Sequence, residues 1–239
     1  MSLKVIIQST LNSLGYDIYK RDSRFHPEIA VMYLCAKYQL STVLDVGANT
    51  GQFVQALRKW GYAKNVLSFE PLSSAHASLK QNAAHDPYWQ VAPRCAIGAS
   101  KAVSEINIAG NSVSSSILPM LEIHRQAAPD SAYLAKEEVQ IESLSNMIQQ
   151  LTDQNERFFL KIDTQGYERE VISGASCVLE RIPAIQMELS ISPLYENSLL
   201  LDEGIELMKS HGYRVYSIYQ GLSDRKTGET LQVDAIFVR

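Results

Sequence analysis

Short apolar runs that alternate with helical stretches, three of them carrying a carboxylate at or beside their ends, predict an α/β fold: a mostly parallel sheet covered by helices on both faces. A second observation supports it, the glycine turn Gly47-Ala48-Asn49-Thr50-Gly51 set between the first run and the first helix. The third is composition. With 46% hydrophobic and 20% charged residues over 239 positions, the chain can bury one sizeable core and fits one domain with a small appendage.

The elements follow in order. Residues 1–40 hold Ile29, Met32, Tyr33 and Ala36 at helical spacing and no clear strand, which predicts a helical N-terminal cap ahead of a main domain at 41–239. Thr42-Val43-Leu44-Asp45-Val46 is the first strand, and the helix after its glycine turn has Phe53, Leu57 and Trp60 on one face. Val66-Leu67-Ser68-Phe69 runs into Glu70-Pro71, a second helix passes through Leu79, and Trp89 to Ile97 forms the third strand region. From Ala102 to Ser143 the pattern weakens, so this stretch is expected as an insertion shaping the substrate side. Phe158 to Ile162 then ends at Asp163, and Tyr167, Val171, Ala175, Val178 and Ile182 make a helical stripe after Gly166. A fifth run contains Ile185, Met187 and Leu189 with Glu188 near its end. After a helix over Leu201 to Lys209, the alternating runs Tyr213 to Tyr219 and Leu231 to Val238 flank a hairpin linker with Asp224 and Gly228.

Charge and cysteines narrow the function. Against 26 acidic residues stand 22 Lys and Arg, net −4 with no long single-sign block, which argues against a nucleic-acid partner. Cys35, Cys95 and Cys177 have neither zinc spacing nor the even count of a disulfide framework, so the expected setting is a reducing cytoplasm. Val5-Ile6-Ile7 is too short for the core of a signal peptide, and no run nears the ~20 apolar residues of a membrane span.

In an open parallel sheet, ligands bind outside the carboxyl ends of the strands. Asp45, Glu70 and Asp163 project there, Gly47 and Gly51 allow close backbone approach, and Glu70 follows Asp45 by 25 residues, where a carboxylate can accept both ribose hydroxyls. Together they indicate a nucleoside site. A dinucleotide site needs G-x-G-x-x-G to hold a pyrophosphate at the helix start. Here Asn49 takes the second glycine position and an acid precedes the loop, repelling pyrophosphate while suiting the ammonium and sulfonium charges of S-adenosylmethionine.

Several stretches together resemble the FkbM-type S-adenosylmethionine-dependent methyltransferases, a family of mainly O-methyltransferases. They are Val43 to Gln52, Ser68-Phe69-Glu70-Pro71, Cys95-Ala96-Ile97-Gly98, Ser112 to Ser116, Leu160-Lys161-Ile162-Asp163-Thr164-Gln165-Gly166-Tyr167-Glu168 and Val233 to Arg239. The resemblance covers about residue 41 to the end and departs from the family motifs at none of these positions. It implies a Rossmann-like class I fold whose seven strands lie in the order 3-2-1-4-5-7-6 with the last antiparallel. It also implies that Asp45, Gly47, Asn49 and Gly51 hold the methionine half of the cofactor, Glu70 the ribose, and Ala96 with Ile97 the adenine edge. Ser115 and its neighbours in the serine run are read as cofactor or polyol donors, or as a plain loop.

For catalysis, Asp163 is the first candidate as base or acceptor-orienting group, and a helix cap is its alternative. Glu188 is the second, with pairing to Lys161 as its alternative. His124 is read as a base or acceptor-site donor, or as a surface histidine. Tyr195 and Glu196 are read as a loop overhanging the acceptor or as a packed surface loop, and Asp234 as a brace from the seventh strand. Asp163 with Glu188 offers oxygen ligands for magnesium, but the chain shows no dedicated ligand cluster and metal independence is the default. The implied activity is methyl transfer to a hydroxyl of a sugar, glycan precursor or secondary metabolite, the sugar class resting on resemblance alone. A nicotinamide-dependent oxidoreductase and a non-catalytic binding module that keeps the pocket are the competing readings.

Overall fold

The computed structural model describes residues 3–16 and 26–239. The expected N-terminal cap contains α1 (Leu3–Ser13) and α2 (Pro27–Lys37), and its residues 1–2 and 17–25 lie outside the described residues. Thereafter come β1 (Thr42–Val46), α3 (Gln52–Lys59), β2 (Asn65–Phe69), α4 (Ser73–Ala83), β3 (Trp89–Val91), β4 (Ala96–Gly98), β5 (Ala102–Ala109), α5 (Glu122–Ala127) and β6 (Tyr133–Ser143). The chain continues with α6 (Leu144–Leu151), β7 (Phe158–Ile162), α7 (Glu168–Gly174), β8 (Ala184–Ser190), α8 (Leu201–Ser210), β9 (Arg214–Gln220) and β10 (Gln232–Val238).

The seven-stranded sheet runs β3-β2-β1-β7-β8-β10-β9, and β10 is antiparallel to both its neighbours. This is the order expected from the family resemblance. Each of β1, β7 and β8 is sandwiched between helices and so is apolar on both sides. Leu44, Val46, Leu160, Ile162, Met187 and Leu189 face a core shared with α6, α7 and α8. Val43, Phe159, Ala184 and Ile236 face a second core that includes Ala30 and Leu34 of α2, Val54 and Leu57 of α3, and Leu79 of α4. Helix α2 is therefore part of the layer covering the sheet.

On that second face the apolar pattern stops before the strand tips. Two residues on from Val43, Phe159 and Ala184 stand Asp45, Lys161 and Gln186, and these three are in register with one another and with Ser68. Because side chains alternate with period two, this is one polar row across one face. It forms the floor beneath the site.

One expectation is corrected, and the weakly patterned insertion is given a structure. The region from Trp89 to Ile97 is not one strand: β3 joins the main sheet, while β4 pairs in parallel with β6 in a separate three-stranded sheet ordered β4-β6-β5. Pro93 separates them, since it has no N–H to continue a ladder. The weakly patterned segment 102–143 is mostly ordered structure, the long antiparallel pair β5 and β6. Its outer face is exposed, leaving few apolar positions to announce the strands.

Candidate active site

A cavity of about 420 Å³ opens at the carboxyl edge of the main sheet, between the strand tips, α3, the start of α2 and the small sheet. The glycine turn forms one wall. Gly47 sits at φ +79°, and a Cβ there would run into the carbonyl of Asp163, so only glycine lets the ends of β1 and β7 lie this close. The N–H groups of Gly47 and Ala48 both donate to the Phe69 carbonyl, at 3.1 and 3.0 Å, locking the turn to the end of β2. Gly51 is not on the cavity wall. Its missing side chain makes room for the indole of Trp89 and for Leu79.

Glu70 follows β2 directly, is 3% exposed and lines the cavity. Its Oε2 accepts from the Asn49 N–H at 2.7 Å and its Oε1 from the Leu72 N–H at 2.8 Å. A carboxylate has about four acceptor positions, so about two remain, the number that a ribose diol needs. Burial pushes this acid up to about 7, while the two backbone N–H groups pull the other way. Next to it, Ala96, Ile97, Leu72, Ile106 and Ile117 make an apolar slot suited to a planar base. Ser115 lines the same space, and its Oγ accepts from the Ala109 N–H at 2.9 Å. Ser112, at the start of the same matched stretch, also lines it and accepts from Asn49 Nδ2 at 3.2 Å.

Asp45 lies one layer below. It is 0% exposed and does not reach the cavity wall. The Lys161 ammonium stands 3.4 Å from it, 3.2 Å from Asp163 and 3.3 Å from the Gly47 carbonyl, and Ser68 Oγ donates to Asp45 at 3.3 Å. Burial disfavours the charge on Lys161, yet Asp163 and Asp45 hold its pKa above the ordinary lysine value. Burial raises Asp45, with Lys161 opposing. The acid before the turn thus acts on a ligand only through Lys161, and its charge is already countered. Lys161 also does not pair with Glu188: it is in register with Gln186, and its partners lie toward β1.

The far end gathers Asp163, Glu188 and Asp234 with three carboxamides. Gln165, held at φ +55°, donates from Nε2 to Asp163 Oδ1 at 2.7 Å and to Glu188 Oε2 at 2.6 Å. Gln232 donates to the same Glu188 oxygen at 3.0 Å, and Gln186 to Asp234 Oδ1 at 3.1 Å. Burial raises Glu188 well above the carboxylate range, and the charges of Asp163 and Asp234 add to this. Asp163 does not cap α7. The N-cap position is Tyr167, with no side-chain cap, and Glu168 instead ties down the loop before the helix: its Oε1 accepts from the N–H groups of Thr164 and Gly166 at 3.1 and 3.0 Å and from the Thr164 hydroxyl at 3.0 Å. The Asp163 carboxylate is left facing the cavity.

His124 is placed elsewhere than expected, and Tyr195 and Glu196 follow the packed-loop reading. His124 is 1% exposed, lies off the cavity wall and meets Tyr195 edge to face at 5.0 Å, so it is neither a surface histidine nor in reach of a ligand there. Burial pushes its imidazole down to about 4. Tyr195 is buried and cannot stack on a sugar; its hydroxyl is 2.7 Å from Gln165 Oε1 and so steadies the carboxamide that bridges the two acids. Glu196 also lies off the wall. Gln165 and Gln186 had a signal in the sequence: one lies inside the Lys-Ile-Asp-Thr-Gln-Gly string, the other two residues before Glu188 on the same strand face. Among the described residues, no group of three or more His, Cys, Asp or Glu is arranged to hold a metal ion.

Comparison with known proteins agrees with this fold. The family model for the methyltransferase FkbM domain matches residues 45–215. Among solved structures, the FkbM methyltransferase of Methylobacillus flagellatus superposes with a TM-score of 0.50 at 14% identity, over 82% of this chain and 43% of that one. The chain therefore spans less than half the length of that protein. The 1,6-didemethyltoxoflavin-N1-methyltransferase of Burkholderia thailandensis, solved with S-adenosylhomocysteine, aligns over 99% of this chain and 87% of its own at 12% identity and a TM-score of 0.48. At such identities the likeness is one of fold. No curated protein matches the chain in sequence. Since the family model covers well over half of the residues, the chain belongs to the FkbM methyltransferase domain family, S-adenosylmethionine-dependent enzymes of the class I fold.

Proposed function

We propose that the protein transfers the methyl group of S-adenosylmethionine to a hydroxyl oxygen of a sugar, glycan precursor or secondary metabolite. The observation that carries the cofactor half is Glu70, a buried carboxylate with about two acceptor positions left, beside an apolar slot and across from Gly47. In this reading Glu70 takes the ribose diol, Ala96 and Ile97 flank the adenine, and Gly47, Asn49 and Ser115 approach the methionine half. Asp45 and Gly51 support the turn from behind. The cofactor supplies an electrophilic methyl carbon. The chain's own part would be to hold the acceptor oxygen in line with that carbon and to take up the hydroxyl proton.

Asp163 is the group we assign as the base for that proton, because it faces the cavity and Lys161 steadies its anion. A positioned base contributes about 10² to 10⁴-fold. Glu188, joined to Asp163 through Gln165, orients the acceptor. Most of the remaining acceleration comes from alignment of oxygen, carbon and sulfur.

Calorimetry and thermal shift with S-adenosylhomocysteine and, separately, NADH test the reading. S-adenosylhomocysteine is expected to stabilise the protein, by about 2.7 kcal/mol at 100 times its Kd. Glu70→Ala should abolish that gain. A protein stabilised by NADH and indifferent to S-adenosylhomocysteine would refute the proposal. Release of a labelled methyl group into a hydroxyl-bearing product, lost in Asp163→Asn, tests the transfer itself.

A further inference from the structure

The cavity continues past the cofactor turn to the tips of β8 and β10. With neighbouring strands about 4.8 Å apart, this end lies about 10 to 14 Å across the sheet from β1. Its walls present acceptors. Gln186 is 4% exposed and lines the cavity, and its Oε1 has no hydrogen-bond partner. The amide cannot simply be turned over, because its Nε2 already donates to Asp234 and the reverse would set oxygen against oxygen. An orphaned buried carbonyl of this kind is destabilising unless a ligand satisfies it. Around it stand the carboxylates of Asp234 and Glu28, the latter brought in by the first turn of α2.

The nearby donors are already turned to the protein: Lys161 to Asp45, Asp163 and Gly47, and both hydrogens of the Gln165 amide to Asp163 and Glu188. A hydroxyl seated here would find acceptors for its proton but few donors for its lone pairs. A carboxylate or phosphate would meet like charge. An ammonium, with three donors and no acceptor, is the complement.

We propose that this end of the cavity is a subsite for a protonated amine on the methyl acceptor, held by the Gln186 carbonyl and the carboxylates of Asp234 and Glu28. The inference rests on the methyltransferase reading and sharpens it: the acceptor is an amino alcohol or amino sugar, and anionic acceptors are excluded. The amine is the acceptor's own, because the methionine ammonium of the cofactor belongs with the β1 turn.

The test is calorimetry on the full chain saturated with S-adenosylhomocysteine, using ethanolamine, ethylene glycol and glycolate as probes that differ in one group. Ethanolamine is expected to bind at least about tenfold more tightly than ethylene glycol, with no heat from glycolate. Asp234→Asn and Glu28→Gln should each shrink that ratio to about threefold or less, while S-adenosylhomocysteine affinity, measured first, reports that each variant is folded. Equal binding of the probes, binding of none, or a preference untouched in both variants overturns the subsite. So does loss of S-adenosylhomocysteine affinity in those variants, which would give the amine to the cofactor. If the unmodified protein does not bind S-adenosylhomocysteine at all, the methyltransferase reading falls and takes this inference with it; cofactor binding without an amine preference removes this inference alone.

Discussion

Glu70 makes cofactor affinity depend on pH in a calculable way. The acid titrates near 7 because it is buried, and its two backbone partners leave room for the two ribose hydroxyls. Those hydroxyls donate, so they favour the ionised form. Binding must therefore expel the proton wherever the free protein carries one. Below pH 7 the apparent affinity for S-adenosylhomocysteine should fall about tenfold per unit, to about one-tenth at pH 6 and one-hundredth at pH 5, and level off above pH 8. Calorimetry in two buffers of different ionisation heat should count about one proton released per cofactor at pH 6 and almost none at pH 8. Glu168 also titrates near 7, but it is tied into its own loop and does not line the cavity. Glu70→Gln should therefore flatten the profile by itself. An affinity constant from pH 5.5 to 8, or the same slope in Glu70→Gln, would refute the assignment.

The same two acids contribute to the pH dependence of the stability of the cofactor-free protein. Their folded pKa values, about 7, exceed the ordinary 4.5, so between these limits the native state holds protons that the unfolded chain has lost. Stability should fall as pH rises from 4.5 to 7, by up to about 1.4 kcal/mol per unit for each acid, and Glu168→Gln should lessen the slope of Tm against pH. Lys161→Met strands the buried Asp45 charge and should cost about 3–5 kcal/mol in urea unfolding; adding Asp45→Asn should return most of it, and equal loss in single and double variants would show the pair to be unimportant. The imidazole of His124 should stay neutral, with no titration of its carbon-bound protons by NMR between pH 5.5 and 8, and His124→Leu should keep full S-adenosylhomocysteine affinity.

The central strands were legible in the sequence for a physical reason: β1, β7 and β8 are covered on both sides, so nearly every position must be apolar and the few polar ones stand out. Asp45, Glu70, Asp163 and Glu188 were found in this way. The small sheet was not, because β5 and β6 leave one face in water and their patterns dissolve into ordinary surface composition. His124 was misplaced, and Tyr195 left between two readings, for a related reason, since a loop that packs under a second layer looks in sequence like one that does not.

The candidate site shows where one-dimensional reading must stop. Period two puts Asp45 on the same side of its strand as Val43, Lys161 with Phe159, and Gln186 with Ala184, and this much is in the sequence. That Asp45, Lys161 and Gln186 then form one row depends on β7 lying between β1 and β8 in this register, which is a property of the assembled sheet. The row changes the meaning of its members. A charge that seemed to face the ligand is countered by a lysine from the next strand, and a glutamine with no evident purpose becomes the buried carbonyl in need of a donor. Glu28 adds the same lesson from farther off, because α2 reaches the cavity only by covering the sheet face on which this row lies. The acceptor's chemistry is therefore set by which strands are neighbours, and a reading limited to the motifs would have assigned it to the cofactor loop alone.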